Sequence, residues 1–411
     1  MNFYCTDSLV KIFPDTKKPR KLEKATALKN EIYHMQLFLR SEDLKKDLTI
    51  ESSIAGVSFK SVEYLPMLVC NLQGSDEYGL NRVGVCPDLL LDVSKILFSA
   101  RANISSAIFV SIDCSKLNVG VHIIRFFLKQ GGHVLGWASI SLEIVDEKLV
   151  ENDLIVTEWM HFDCIADYYD IKPWTAKFFV YVKNLLYTAV SHGINTVLVP
   201  CFTPPLDTEP NRERTNVQLV GAFYNEGKYH FDFYLLEKFI LTARECGIKY
   251  FEINHLFSQW GAEFSPTIYV TENGKKRCKF GWNISSESEE YKTFLTAFLP
   301  ALYDCLTALG VEGQTLWHIS DEPAVEHLER YKRHLALLKQ LVPTCKIMDA
   351  LSAYEFKGTG MDIPVVALDA VKPFVENNDK VMVYFCTAQD KQYVPNHFLL
   401  LHPSVIVFWG L

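Results

Sequence analysis

The chain has 411 residues, of which 49% are hydrophobic, 22% charged and 13% aromatic, and 41 Lys and Arg face 49 Asp and Glu for a formal net charge of -8. That length exceeds what one core usually fills and calls for two domains, while the acidic balance argues against nucleic acid as a partner. The eleven cysteines stand singly with no C-x-x-C pair, no basic-then-apolar leader opens the chain and no apolar run is long enough to span a bilayer, so the expectation is a cytoplasmic protein with reduced thiols, no zinc site and no membrane partner.

Lys17, Lys18, Arg20 and Lys21 form the one basic cluster and read as a solvated face or turn ahead of a phosphate patch. Short alternating or apolar runs at 31–40, 58–69, 89–93, 106–113, 121–129 and 134–145 are predicted strands without intervening helices. Turn-forming stretches such as Gly74-Ser75-Asp76 and Gln130-Gly131-Gly132 separate them. This pattern predicts an N-terminal β-sandwich domain over 1–150. It carries no ionisable cluster, and packing against its neighbour is preferred to a carbohydrate-binding role.

From Ile155 the rhythm changes. Strand candidates begin at 155, 196, 249, 315, 346, 363 and 381, and helix-length segments at 175–192, 233–246, 290–309, 325–341 and 370–377 alternate with them. Strand, helix, strand in repetition means parallel pairing, so residues 151–411 are expected to form an α/β domain, a (β/α)8-type TIM barrel lacking its last strand. The connection from 203 to 231 has a strand candidate at 215–223 and reads either as a hairpin over the cleft or as a surface excursion.

In such barrels the chemistry sits on the loops after the strands. The run Leu316-Trp317-His318-Ile319-Ser320-Asp321-Glu322-Pro323 places two adjacent carboxylates there. Neighbours on a regular strand point to opposite faces, so Asp321 and Glu322 can share a ligand only if the strand stops and the backbone turns, and Pro323 supplies the break. A solvated helix start is the plainer reading of the same pair. His318 reads equally as a hydrogen-bonded core histidine or a ligand contact. His161 and Asp163 fall on one side of the first strand, 155–163, where they form either a structural hydrogen bond or a substrate contact.

Trp159 and Trp260 suit core packing or sugar stacking, His255, Gln259 and Trp260 occupy the long stretch after the third strand, and Tyr384 ends the seventh. A cleft of Trp, Tyr, His, Asp and Gln suits a carbohydrate partner, because pyranose faces stack on aromatics while hydroxyls need polar partners. There is no H-E-x-x-H, no G-x-S-x-G and no glycine-rich phosphate loop, so neither a metal nor a cofactor is expected.

Four segments now carry a resemblance: Thr157-Glu158-Trp159-Met160-His161-Phe162-Asp163-Cys164, Phe202-Thr203-Pro204-Pro205-Leu206-Asp207-Thr208, His255-Leu256-Phe257-Ser258-Gln259-Trp260-Gly261-Ala262 and His318-Ile319-Ser320-Asp321-Glu322-Pro323. With Phe280-Gly281-Trp282 and Asp349-Ala350-Leu351-Ser352 they resemble, in the same order, the catalytic domain of glycoside hydrolase family 123, over about residues 150–404. The resemblance implies release of terminal β-linked N-acetylgalactosamine, or a related 2-acetamido sugar, with retention of configuration and substrate assistance. It implies that Asp321 orients the acetamido group and stabilises the oxazolinium ion, while Glu322 acts as acid and then base. Trp159, Trp260 and Tyr384 are candidates for an aromatic cage around the acetamido methyl.

After Pro395-Asn396-His397-Phe398 the chain departs from the family pattern and ends in an apolar run, with His397 where relatives commonly carry Arg. The expectation is therefore a C-terminally truncated barrel. The competing class is a carbohydrate-binding protein that keeps the cleft without turnover.

Overall fold

The computed structural model describes residues 1–67, 84–93, 97–150, 154–206, 214–259, 261–367 and 370–384. They fall into two compact units that part near residue 152.

The first unit is built of strands β1 (Asn2–Asp7), β2 (Lys24–Leu28), β3 (Ile32–Arg40), β4 (Lys45–Ser52), β5 (Val57–Met67), β6 (Gly84–Asp92), β7 (Phe98–Ala100), β8 (Ser105–Asp113), β9 (Gly120–Gln130) and β10 (His133–Val145). They make two five-stranded sheets, ordered β1-β3-β8-β5-β6 and β2-β10-β9-β4-β7. Pairing is antiparallel except between β2 and β10. Alternation decides the faces: Ile108, Val110 and Ile112 of β8 point inward and join Met35 and Leu37 of β3 in one apolar cluster. Ile124 and Phe126 of β9 and Ile140 and Leu142 of β10 enter that same cluster from the other sheet. The β9–β10 turn uses Gly131 and Gly132 at φ 54 and 85, backbone angles that glycine reaches without a Cβ clash.

Strands β1, β2, β4 and β7 are additional to those the hydrophobic pattern indicates. β1, β2 and β7 lie at sheet edges, and β2 and β4 are lysine-bearing. Edge positions tolerate short or charged strands, so the apolar signal there is weak.

In the second unit the elements follow as α1 (Asp163–Tyr169), α2 (Ala176–Ser191), β11 (Thr196–Val199), hairpin β12 (Gly221–Asn225) and β13 (Lys228–Asp232), α3 (Tyr234–Cys246), β14 (Tyr250–Ile253) and hairpin β15 (Ile268–Glu272) and β16 (Lys275–Phe280). Then come α4 (Glu289–Ala308), β17 (Thr315–Trp317), α5 (Leu328–Leu341), β18 (Lys346–Leu351), β19 (Ile363–Ala367), α6 (Lys372–Glu376) and β20 (Met382–Tyr384). Strands β11, β14, β17, β18, β19 and β20 form a six-stranded sheet in chain order, every pair parallel. The runs are short and continuously apolar because both faces are covered: all four residues of β11 are buried.

Helix α4 shows why the intervening segments are helical. Ser288 accepts from the Tyr291 N–H, Glu289 and Glu290 sit in the positively polarised first turn, and Tyr291, Phe294, Leu295, Phe298, Leu302 and Leu306 make one buried stripe. Each such side chain contributes roughly 1.5–3 kcal/mol on burial.

The structure corrects four expectations. The stretch expected as the first strand is reduced to an isolated parallel bridge between Thr157 and Thr196, and Asp163 instead opens α1, where a carboxylate suits the helix N-terminus. The fourth strand stops at Trp317, not Asp321, and two residues on the Ile319 N–H is taken by the Asp349 carboxylate at 3.0 Å. The segment expected as a helix from 325 opens with one 3-10 turn, Val325–His327, before α5. The strand candidate at 215–223 forms a strand only from Gly221, as β12, which pairs with β13 and, in parallel, with β15 to give a separate four-stranded sheet. The tail, on which the expectation of a missing strand rests, lies outside the described residues.

Candidate active site

The segment after β17 does not continue the ladder. Its carbonyls at His318 and Ile319 accept from the N–H groups of Leu256 and Phe257 at 3.3 and 3.1 Å, and the Ser320 hydroxyl donates to the Ser258 carbonyl at 2.8 Å. The chain after β17 is thereby laid along the chain after β14. Glu322 then takes φ 41, the left-handed region that costs a non-glycine residue on the order of 1–3 kcal/mol. The break in strand alternation thus falls on the acid itself, immediately before Pro323.

Each carboxylate of the pair is met by a different element. Gln259, six residues beyond the end of β14, puts its side-chain nitrogen 3.5 Å from Oδ2 of Asp321, which is buried. Tyr384, the last residue of β20, donates its hydroxyl hydrogen to Oε1 of Glu322.

Beneath the pair lies a fully buried ionic network. His318 Nε2 is 2.9 Å from Oε2 of Glu252 on β14, and its Nδ1 is 3.1 Å from Oδ1 of Asp349 on β18. Burial pushes the imidazolium towards neutrality, but hydrogen bonds to Asp349 and Glu252 and their charges outweigh it and raise the His318 pKa to about 10. The ring is therefore a cation that donates from both nitrogens. Trp159 donates its indole N–H to Glu252 at 2.8 Å, and Tyr331 of α5 donates its hydroxyl to Asp349 at 2.6 Å.

The two carboxylates differ. Burial pushes both upward; at Glu252 the bonds from His318 and Trp159 prevail and hold its pKa below the usual range, whereas at Asp349 burial prevails and holds it above. A buried carboxylate pair without the histidine between would be two uncompensated charges.

His255 stacks face to face on His318, with centroids 4.4 Å apart and planes at 24°, and Trp159 meets both rings edge-on. Burial, and secondarily the His318 charge, hold the His255 pKa well below its ordinary value, so a neutral ring lies against a cationic one. Its ring nitrogens find no hydrogen-bond partner among the described residues. His255, His318 and Asp349 bring potential ligand atoms within 4.8 Å of one another. Metal coordination does not fit them: the in-plane lone pairs of two nearly parallel stacked rings do not converge on one ion, and both His318 nitrogens are already committed.

The structure thus brings Gln259 and Tyr384 to Asp321 and Glu322, and gathers Trp159 and His255 around His318, three residues before Asp321. Asp163, read from the sequence as either a hydrogen-bond partner of His161 or a substrate contact, takes a two-pronged pair from Arg214, with Nε to Oδ2 at 2.7 Å and Nη2 to Oδ1 at 2.9 Å. His161 lies just ahead of α1 and its carbonyl accepts from the Cys164 N–H at 3.1 Å. Trp260 lies outside the described residues. Glu252, Tyr331 and Arg214 were not singled out from the sequence, and Asp349 entered only within a motif of the resemblance, without a role. For Glu252 and Asp349 a signal existed, since an acid inside an apolar strand must be paired if the strand is buried on both faces.

A family model described as glycoside hydrolase 123, catalytic domain, matches residues 159–410. A family 123 glycoside hydrolase from Clostridium perfringens, solved in a study of glycolipid glycan hydrolysis, superposes with a TM-score of 0.72 at 14% identity, covering 95% of this chain and 73% of that one. A Bacteroides ovatus GH5 xyloglucanase bound to a heptasaccharide (TM-score 0.25, 7% identity, 84% and 69% covered) and a GH2 β-galacturonidase from Eisenbergiella tayi (0.28, 13%, 89% and 55%) are far more distant. None of the curated proteins compared matches the chain.

Paired acids on a mixed α/β fold of this kind define a glycosidase, whose substrates are glycans. Within that class the chain belongs to glycoside hydrolase family 123, as the motifs around Asp321 and Glu322 led us to expect.

Proposed function

We propose that the protein is a retaining glycosidase that releases β-linked N-acetylgalactosamine, or a related 2-acetamido sugar, with the substrate's own acetamido group as nucleophile. The observation that carries the reading is the separate anchoring of two adjacent carboxylates: Asp321 beside Gln259, Glu322 on Tyr384, with the left-handed turn between strand and proline. In this reading Glu322, as the acid, gives its proton to the glycosidic oxygen while the acetamido carbonyl oxygen closes on the anomeric carbon. Asp321 accepts from the acetamido N–H and stabilises the positive oxazolinium ring. Glu322, now a carboxylate, takes a proton from the water that reopens the ring, and two inversions give net retention.

The bridge at Thr157 and the six parallel strands are read as seven consecutive positions of a β/α barrel, and the two antiparallel sheets with their shared core as a β-sandwich. A cytoplasmic setting belongs to the same proposal; its support is that the described cysteines, from Cys5 to Cys345, are free thiols.

The test is hydrolysis of an aryl β-N-acetylgalactosaminide by the purified chain. Release that vanishes in Glu322→Gln supports the proposal. Binding without release would assign a non-catalytic carbohydrate-binding protein, and neither binding nor release would overturn the sugar class.

A further inference from the structure

The basic run Lys17, Lys18, Arg20 and Lys21 takes on a different meaning in the first unit. A cavity of about 730 Å³ opens beside β1 and β10, and among the residues lining it are Tyr4, Lys18, Lys21, Trp137 and Ser139. Trp137 is 59% exposed. Its exposure is a consequence of register: Ala138 and Ile140 point into the core, so Trp137 and Ser139 must point out, and a one-residue slip that hid the indole would bring the core residues into water.

The basic segment is held in place against β1. Tyr4 donates its hydroxyl to the Pro19 carbonyl at 3.0 Å, Thr6 donates to the Arg20 carbonyl at 2.8 Å, and the Leu22 N–H reaches the Cys5 carbonyl at 2.8 Å. Lys21 shares its ammonium with Glu23 in an exposed pair at 2.9 Å, an interaction weak enough to yield to a better anion. Lys18 has no carboxylate partner among the described residues.

We propose that this cavity is a glycan-binding site for an acidic saccharide, separate from the Asp321–Glu322 cleft and independent of how that cleft is read. An indole held outward offers a flat face to a pyranose ring. Two lysines, Lys18 and Lys21, line the same cavity and can offer their ammonium groups to a carboxylate or sulfate on the sugar. The chain's net charge of -8 repels acidic ligands at long range, so the attraction is local, acting within a screening length of about 8 Å. That distinguishes the site from a general anion-exchange surface.

Isothermal titration of the full chain carrying Glu322→Gln, which blocks turnover in the proposed reaction, tests this with three probes. They are a glucuronate-containing disaccharide, a sulfated galactosaminide and a neutral N-acetyl disaccharide. The two acidic probes distinguish the carboxylate from the sulfate source. At least one is expected to bind about tenfold more tightly than the neutral sugar. Its affinity should fall by about tenfold on Trp137→Ala and on the double change Lys18→Ala, Lys21→Ala, and should fall with added salt. Each variant's melting temperature is measured alongside, and the lysine double variant, at exposed positions, keeps the test decisive if the tryptophan variant folds poorly. No binding of either acidic probe, equal binding of the neutral one, or binding indifferent to both substitutions overturns the proposal.

Discussion

Tyr384 donates its hydroxyl to Oε1 of Glu322 across 62 residues of sequence, from the end of β20 to the turn after β17. A side-chain hydrogen bond contributes about 0.5–1.5 kcal/mol, and here it acts on the group proposed to move a proton. Tyr384→Phe keeps the ring and removes only the hydroxyl. It is expected to lower kcat by roughly tenfold or more while KM changes little, because the loss bears on orientation of the acid more than on sugar binding. Steady-state kinetics with the aryl substrate checks this; a rise in KM with unchanged kcat would place Tyr384 in binding alone.

The His318 cation makes stability depend on pH in a defined direction. Its folded pKa, about 10, lies above the unfolded value of about 6.5, so its stabilising contribution is complete below about pH 6.5 and is lost as pH rises towards the folded value. The two carboxylates shift in opposite directions, Glu252 held down by its bonds from His318 and Trp159 and Asp349 held up by burial. Urea unfolding should show stability declining by several kcal/mol between pH 7 and 10.

His318→Gln removes the cation from between two buried carboxylates and should cost about 3–5 kcal/mol at pH 7. The variant should also lose the alkaline decline. Parallel profiles for variant and wild type would refute a charged His318.

The Asp163–Arg214 pair is a structural clamp. The Asp163 and Arg214 side chains are 6% and 16% exposed, so removing the arginine leaves a nearly buried carboxylate uncompensated. Arg214→Met is expected to destabilise by about 3–5 kcal/mol, with part of the loss recovered when Asp163→Asn is added. Simple additivity in the double variant, read from chemical denaturation, would show that the pair carries no coupling.

At Glu322 activity and stability should move in opposite directions. Glycine adopts φ 41 without strain, so Glu322→Gly is expected to be about 1 kcal/mol more stable than Glu322→Gln, although both lack the acid and neither should turn over substrate. Thermal melts of the two variants side by side decide it. A less stable glycine variant would show that the turn is held by contacts of the longer side chain.

Much of this was legible in the sequence because it follows from local pattern. The buried stripe of α4, the glycine turn between β9 and β10, the parallel sheet in chain order and the motif around Asp321 and Glu322 each occupy a few neighbouring residues. Periodicity and turn chemistry act on that scale. Edge strands such as β2 escaped because an edge does not demand an apolar run. The first strand failed because residues 155–163 are apolar enough for a strand, yet Asp163 is better satisfied at a helix start paired with Arg214.

The sequence by itself thus determined the family and the two-part organisation of sheets, and it put Asp321 and Glu322 forward as the proposed acid pair. Tertiary structure alone decided what surrounds that pair. Glu252 and Asp349 lie on β14 and β18 and His318 just past the end of β17 between them, separated along the chain by 66 and 31 residues. Their meeting depends on strand register, and register is set by how both faces of the sheet pack. A linear pattern can show that an acid in a buried strand needs a partner; only the packed sheet selects which one.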